Sequence, residues 1–416
     1  MLSYHTKPYD QKSTTRVFKQ IFDKLSGTTK WQLNFFIEVF DLIYSIQGRF
    51  NFQNLCRYSQ LNESTFRRNF QKFIDWLDFH FQMIKIAGVD LEGEVIAAMD
   101  CSFIAKSGKK TYGLDRFWSG STGKALKGLE ISLVSLIDVS SRKAWALNVV
   151  QTPSGLSQKE NDQTRTRIDF YMDQIRNCQD KLLKIKYFVG DGFYAKTKVF
   201  ETMSELNKHF ITKLRPDANL RYLFEGKHPK RLGRKNIYAG KVDFYQLQPW
   251  THVTDLKPHV EVYTVIANSP KFKRNLKIVM LLNTKTDKHI LLACTDLKLH
   301  ASKIIDYYRL RFQIEFLFRD AKQFTGLNHC QARSKEKLHF HFNLSLAAIN
   351  MAQLKMKDNP TIMSMNTFKR MAYNTRFATF LLKQLRPLAK IDINSPIVQQ
   401  SIQFGRMWTL NESKVA

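Results

Sequence analysis

The segment Tyr308 to Lys322, YRLRFQIEFLFRDAK, spaces Tyr308, Arg311, Glu315 and Lys322 at offsets of 0, 3, 7 and 14. At about 100° per residue these positions fall near 0°, 300°, 340° and 320°, so all four share one sector about 60° wide, with Arg319 beside them. Leu310, Ile314, Leu317 and Ala321 form an apolar stripe opposite. One amphipathic helix is expected here, presenting a single carboxylate among cations. Two more carboxylates end strand-like runs: Asp100 in AAMDCSF and Asp191 in FVGDGFY. Asp138, which ends ISLVSLID, competes with Asp100, since any strand-end aspartate also serves as a turn former. Two strand-end aspartates and a helix glutamate supply the oxygen ligands that Mg²⁺ prefers. Such a set suits phosphodiester cleavage by two ions about 3.5–4 Å apart.

Positioning these residues requires a sheet. EVIAAMD, ISLVSLID and KAWALNVV read as three consecutive buried strands. A helix over about 162–181, a strand in KIKYFVGDG and a helix in KTKVFETMSELNK follow. This is an α/β layout of the kind seen in the RNase H fold. Residues 215–275 are basic and turn-rich, then strand-like in KVDFYQLQPW and VEVYTVIA, and are expected as a β-rich insertion. KIVMLLN and HILLACTD read as further strands, and KLHFHFNLSLAAINMAQLKM as a helix.

The chain has 416 residues, 44% hydrophobic and 13% aromatic, enough for two or three domains with large cores. Its 65 Lys and Arg against 36 Asp and Glu give a net charge of +29, which favours a polyanionic partner, DNA or RNA first. No run approaches the ~18 apolar residues of a membrane span, and MLSYHTKPYDQKSTTR lacks the apolar stretch of a signal peptide. The five cysteines lack paired spacing, as does the His329, Cys330, His339, His341 group, so neither disulfides nor zinc are indicated. The expected setting is the reducing cytoplasm of a bacterium, with nucleoid DNA in reach.

Within residues 1–90, FNFQNLCRYSQLNESTFRRNFQKF reads as a helix, a turn and a second helix capped by Asn62. The second helix presents Ser64, Arg67, Arg68 and Lys72, residue types that contact phosphates and guanine edges, so a helix-turn-helix DNA-binding domain is expected. A plain helical bundle carries the same pattern. The basic stretches 227–235 and 271–277 are expected to track a phosphate backbone.

Asp100, Asp191 and Glu315 resemble the DDE triad, and Tyr308, Arg311, Glu315 and Lys322 match the Y-x2-R-x3-E-x6-K signature of the insertion sequence four family of transposases. The resemblance spans about 95–355. It implies an RNase H-like core over 91–355, interrupted between Asp191 and Glu315, an interval of 315 − 191 = 124 residues, and followed by a C-terminal helical region over 356–416. It implies Mg²⁺, with Mn²⁺ as a substitute, on the three carboxylates. It places Tyr308, Arg311 and Lys322 on phosphates near the cleaved end and Trp250 on a flipped base. Double-stranded DNA, as transposon ends and target, is the expected partner of a homodimer. The implied activity is cut-and-paste transposition, through cleavage and strand transfer at terminal inverted repeats. A transposase-derived regulator without catalysis and a plain metal-dependent nuclease are the alternatives.

Overall fold

The computed structural model describes residues 11–156, 165–226, 236–358, 364–385 and 392–402. Five helices open the chain: α1 (Gln11–Phe22), α2 (Lys30–Ser45), α3 (Phe52–Arg57), α4 (Glu63–Asn69) and α5 (Trp76–Ile86). β1 (Val95–Ala105), β2 (Asp115–Ser119), β3 (Lys124–Asp138), β4 (Lys143–Gln151), α6 (Arg167–Asn177), β5 (Tyr187–Gly190), α7 (Thr197–Glu205) and β6 (His209–Leu214) follow. Then come β7 (Arg221–Leu223), β8 (Tyr238–Lys241), β9 (Thr251–Lys257), β10 (Val260–Ser269), β11 (Arg274–Asn283) and β12 (Lys288–Cys294). The chain closes with α8 (Ala301–Leu310), α9 (Gln313–Phe324), α10 (Lys335–Asp358), α11 (Met365–Leu385) and α12 (Pro396–Ile402).

The expected apolar runs form β1, β3, β4 and β5. β1 pairs antiparallel with β3, β3 antiparallel with β4, β1 parallel with β5, and β5 parallel with β6. The resulting order, β4-β3-β1-β5-β6, is the five-stranded arrangement of an RNase H-like core. Long buried stretches in β1 and β3 reflect coverage on both faces. One residue of β4, Leu147, is bulged where the β3 register shifts, and buried Asn350 of α10 clamps the adjacent Ala146 by accepting from its N–H (2.9 Å) and donating to its C=O (2.8 Å).

The strands that follow β6 extend the core sheet. β12 pairs with β6, β11 with β12, β10 with β11, and β7 with β10, giving a 12-stranded sheet among the described residues. This pairing covers the edge that β6 would otherwise expose. The N-terminal helices bury their aromatic faces against the C-terminal half of the chain. Phe340 of α10 lies 5.7 Å from Phe36, 4.4 Å from Phe70 and 5.1 Å from Trp76, and Tyr44 donates to the Ala348 carbonyl at 2.6 Å. Among the described residues no helix is long and apolar enough to cross a membrane.

Candidate active site

β1 and β5 run parallel with Ala97 opposite Phe188 and Ala98 opposite Val189. Two residues on, at the same level of the two strands, stand Asp100 and Asp191. The chain leaves the sheet at Asp191, whose carboxylate accepts from the Phe193 N–H at 3.0 Å and caps a single helical turn over Gly192–Tyr194. Gly190 permits this tight exit, because a Cβ there would lie 3.0 Å from Tyr194 Cβ and 3.1 Å from the Phe210 ring. Asp100 accepts from the Cys101 N–H at 2.8 Å. Burial, then the charge of Asp191, pushes its carboxyl up to about 7, while Arg311 pulls the other way.

Arg311 joins the strands to the helix. Its guanidinium lies 3.6 Å from Asp100 Oδ2 and 3.1 Å from Glu315 Oε1, with the arginine side chain 14% exposed and Glu315 40% exposed. Its Nε is buried without a hydrogen-bond partner among the described residues. The Tyr308 ring centre lies 5.8 Å from the guanidinium carbon, and burial raises its hydroxyl pKa above the ordinary value. The sequence reading of one unbroken helix needs correction: α8 ends at Leu310 and α9 begins at Gln313. Between them the backbone stays right-handed but tightens, with N–H groups of Phe312, Ile314 and Glu315 bonding to carbonyls three residues back. Tyr308, Arg311 and Glu315 still come together across this tightened turn.

The other signature and DNA-contact candidates sit as follows. Lys322 Nζ donates to the Phe103 carbonyl at 3.0 Å, fixing the end of α9 to β1 just beyond Asp100. Burial lowers its pKa. Arg319 lies over the Phe316 ring at 4.4 Å and pairs with Asp320 at 3.1 Å, outside the carboxylate cluster. Asp138 is opposite Val95, five residues along β1 from Asp100 and so about 16 Å away at 3.3 Å per residue. It caps its own turn through the hydroxyls of Ser140 and Ser141, both at 2.7 Å, so it is not part of the cluster. Trp250 is 6% exposed and donates to the Asp243 carbonyl at 3.3 Å, a packed position. Asn62 does cap α4, accepting from the Thr65 N–H at 3.0 Å. On that helix Arg67 pairs with Glu63, its Nε at 2.7 Å, and Arg68 is exposed; beyond it Lys72 lies over the exposed Trp31 at 5.3 Å. The stretch 227–235 falls outside the described residues.

The donor chemistry fits a divalent cation: three carboxylates, with no thiolate or imidazole among them. As they stand, no three His, Cys, Asp or Glu among the described residues are gathered closely enough to hold an ion. Arg311 stands against both Asp100 and Glu315.

A network behind the aspartates was not read from the sequence. Buried Glu130 accepts from Tyr171 at 2.6 Å and from Thr152 at 2.9 Å, and Cys101 Sγ lies 3.4 Å from Tyr194 Oη. The rings of Tyr171 and Tyr194 are 6.0 Å apart, so the network braces the turn that follows Asp191. An acidic residue opening the apolar run EISLVSLI was the available signal.

Residues 86–351 match the model of the transposase DDE domain. No curated protein matches the chain. Among solved structures, it is similar to endonuclease V from Bacillus subtilis at 11% identity, covering 70% of this chain and 97% of that one with a TM-score of 0.25. It is also similar to the NurA nuclease from Sulfolobus solfataricus at 11% identity, 79% and 94% coverage and a TM-score of 0.26. A pre-cleavage Mos1 transpososome aligns at 17% identity over 49% of this chain and 59% of that chain, with a TM-score of 0.16. With the family model spanning more than half of its length, the chain belongs to the DDE transposase family.

Proposed function

We propose that this DDE transposase is of the insertion sequence four type, binding terminal inverted repeats and moving DNA by cut-and-paste strand cleavage and strand transfer. The observation that carries the reading is one cation, Arg311, within 3.6 Å of Asp100 and 3.1 Å of Glu315, beside an aspartate pair on parallel strands. Asp100, Asp191 and Glu315 are the residues that hold the divalent ions. When bound, Mg²⁺ or Mn²⁺ supplies activation of a water or 3′-hydroxyl and charge neutralisation at the leaving oxygen. Arg311 acts as the counter-ion of the carboxylates and reaches a substrate phosphate from the same position. Tyr308 packs beside it. Lys322 spends one of its three N–H groups on Phe103 and leaves two for DNA. Arg67, Arg68 and Lys72 contact the backbone of the bound end, and the working form on DNA is a homodimer.

Incubation with Mg²⁺ and a supercoiled plasmid carrying the DNA that flanks the coding region tests this. The expected products are nicks at the ends of the element followed by joined strands. Nicking without joining favours a nuclease, and binding without nicking favours a regulator.

A further inference from the structure

The hairpin formed by β2 and the first residues of β3 has a basic and aromatic outer face. Arg116 stands directly opposite Lys127, and Trp118 opposite Ala125. Burial alternates along β2, with Phe117 and Ser119 inside and Arg116 and Trp118 outside. Arg116 and Lys127 therefore share the outer face, where Arg116 also donates to the Ala125 carbonyl at 3.0 Å, while like charges directly opposite each other destabilise a hairpin. Trp118 beside them is 61% exposed. Exposed Lys124, Lys109 and Lys110 lie on the hairpin end and the adjoining loop.

The hairpin itself is firmly held. Phe117 is fully buried, the Arg167 guanidinium lies 4.4 Å over its ring, and Arg167 also donates to the Arg116 carbonyl at 2.8 Å. Asp115 accepts from the Gly155 N–H at 3.0 Å. A rigid strand pair thus presents two opposed cations and an indole to solvent, an arrangement that a bound polyanion with ring faces would stabilise.

Its position gives the partner. Asp100 lies opposite Leu133, the β1–β3 ladder continues to Ala105 opposite Gly128, and from Gly128 onward β2 pairs along the other edge of β3. From Leu133 to Gly128 is five residues and to Ala125 eight, or about 16 to 26 Å along β3. That distance corresponds to about five to eight base pairs at 3.4 Å each. We infer that the outer face of this hairpin binds DNA alongside the catalytic site, Arg116 and Lys127 on the phosphate backbone and Trp118 on a base or sugar face. The inference rests on the DNA-processing reading above and adds a contact surface to it.

The test measures binding of the full chain to a mixed-sequence duplex by fluorescence anisotropy across a salt series. The double variant Arg116→Ala, Lys127→Ala should lower the slope of log affinity against log salt by about 1.8, two phosphate contacts at about 0.9 each. Its melting temperature should stay within a few degrees of the wild type, since relief of the like-charge pair offsets the lost bond from Arg116 to the Ala125 carbonyl. Trp118→Ala should weaken binding about five-fold or more with the slope unchanged. If the double variant does not fold, Trp118→Phe decides: DNA-dependent quenching seen in the wild type should be reduced in it. An unchanged salt slope together with unchanged quenching overturns the proposal. If the wild type binds and cleaves DNA while these variants match it, the hairpin surface alone is wrong; if the wild type binds no DNA, the reading it rests on fails too.

Discussion

Acidification from pH 7 to pH 5 should narrow the stability difference between the wild type and His341→Gln by about 2 kcal/mol. His341 is buried on α10, its Nε2 2.9 Å from the Gly326 carbonyl, between the rings of Phe50 and Phe342. Burial lowers its pKa to about 4, and His329 and Lys106 push in the same direction. An unfolded histidine titrates near ~6.5. Below that pH the unfolded chain takes up a proton that the folded chain refuses until about 4, so the stabilising contribution is complete above ~6.5 and is lost as pH falls. Between pH 7 and 5 this amounts to about 1.5 pH units at about 1.36 kcal/mol each. Asp100, whose carboxyl burial raises to about 7, acts in the opposite sense over this range, and Glu130, also raised by burial, acts in the same direction as Asp100. Their effect is common to wild type and variant and cancels in the comparison. Gln keeps an N–H for Gly326 but cannot titrate. Urea unfolding at both pH values, with equal m, gives the difference directly. If the gap between the two proteins is the same at pH 5 as at pH 7, His341 is not held neutral as described.

Two substitutions near the site separate packing from chemistry. Gly128→Ala should destabilise the protein severely, measured by thermal melting, because the added Cβ would lie 2.5 Å from both the Ile104 carbonyl and the Phe103 ring in a β1–β3 pair that cannot part. Lys322→Met keeps the apolar stem and removes the bond to Phe103, so stability should fall by about 1 kcal/mol while the cleavage rate drops partially. A Lys322→Met protein with the full wild-type rate would show that neither its strap to β1 nor its remaining N–H groups matter to the reaction.

Much of the candidate site's framework was legible because each part was local. Asp100 and Asp191 end apolar runs long enough to read as strands, and the spacing of Tyr308, Arg311 and Glu315 survives as a cluster even though the helix tightens at Arg311. That tightening was not legible, since residue spacing does not distinguish bonds to the third residue back from bonds to the fourth. β2 was missed because it is short and half-polar, with Phe117 the single large buried side chain on it. The pairing of β12 with β6, and the packing of Phe36, Phe70 and Trp76 on Phe340, are contacts between distant segments that no local pattern encodes. Which of Asp100 and Asp138 stands level with Asp191 was likewise a question of register, which no local pattern encodes; Asp138 lies opposite Val95, away from Asp191.

The most direct test of the account is metal-dependent cleavage of flanking-end DNA by Asp100→Asn, Asp191→Asn, Glu315→Gln and Asp138→Asn, with DNA binding measured in parallel. The first three should lose nearly all cleavage and retain binding, since each removes a metal-holding oxygen and not a DNA contact, while Asp138→Asn should cleave as the wild type does. Wild-type cleavage by any of the first three, or loss of cleavage in Asp138→Asn alone, would contradict the assignment of the site.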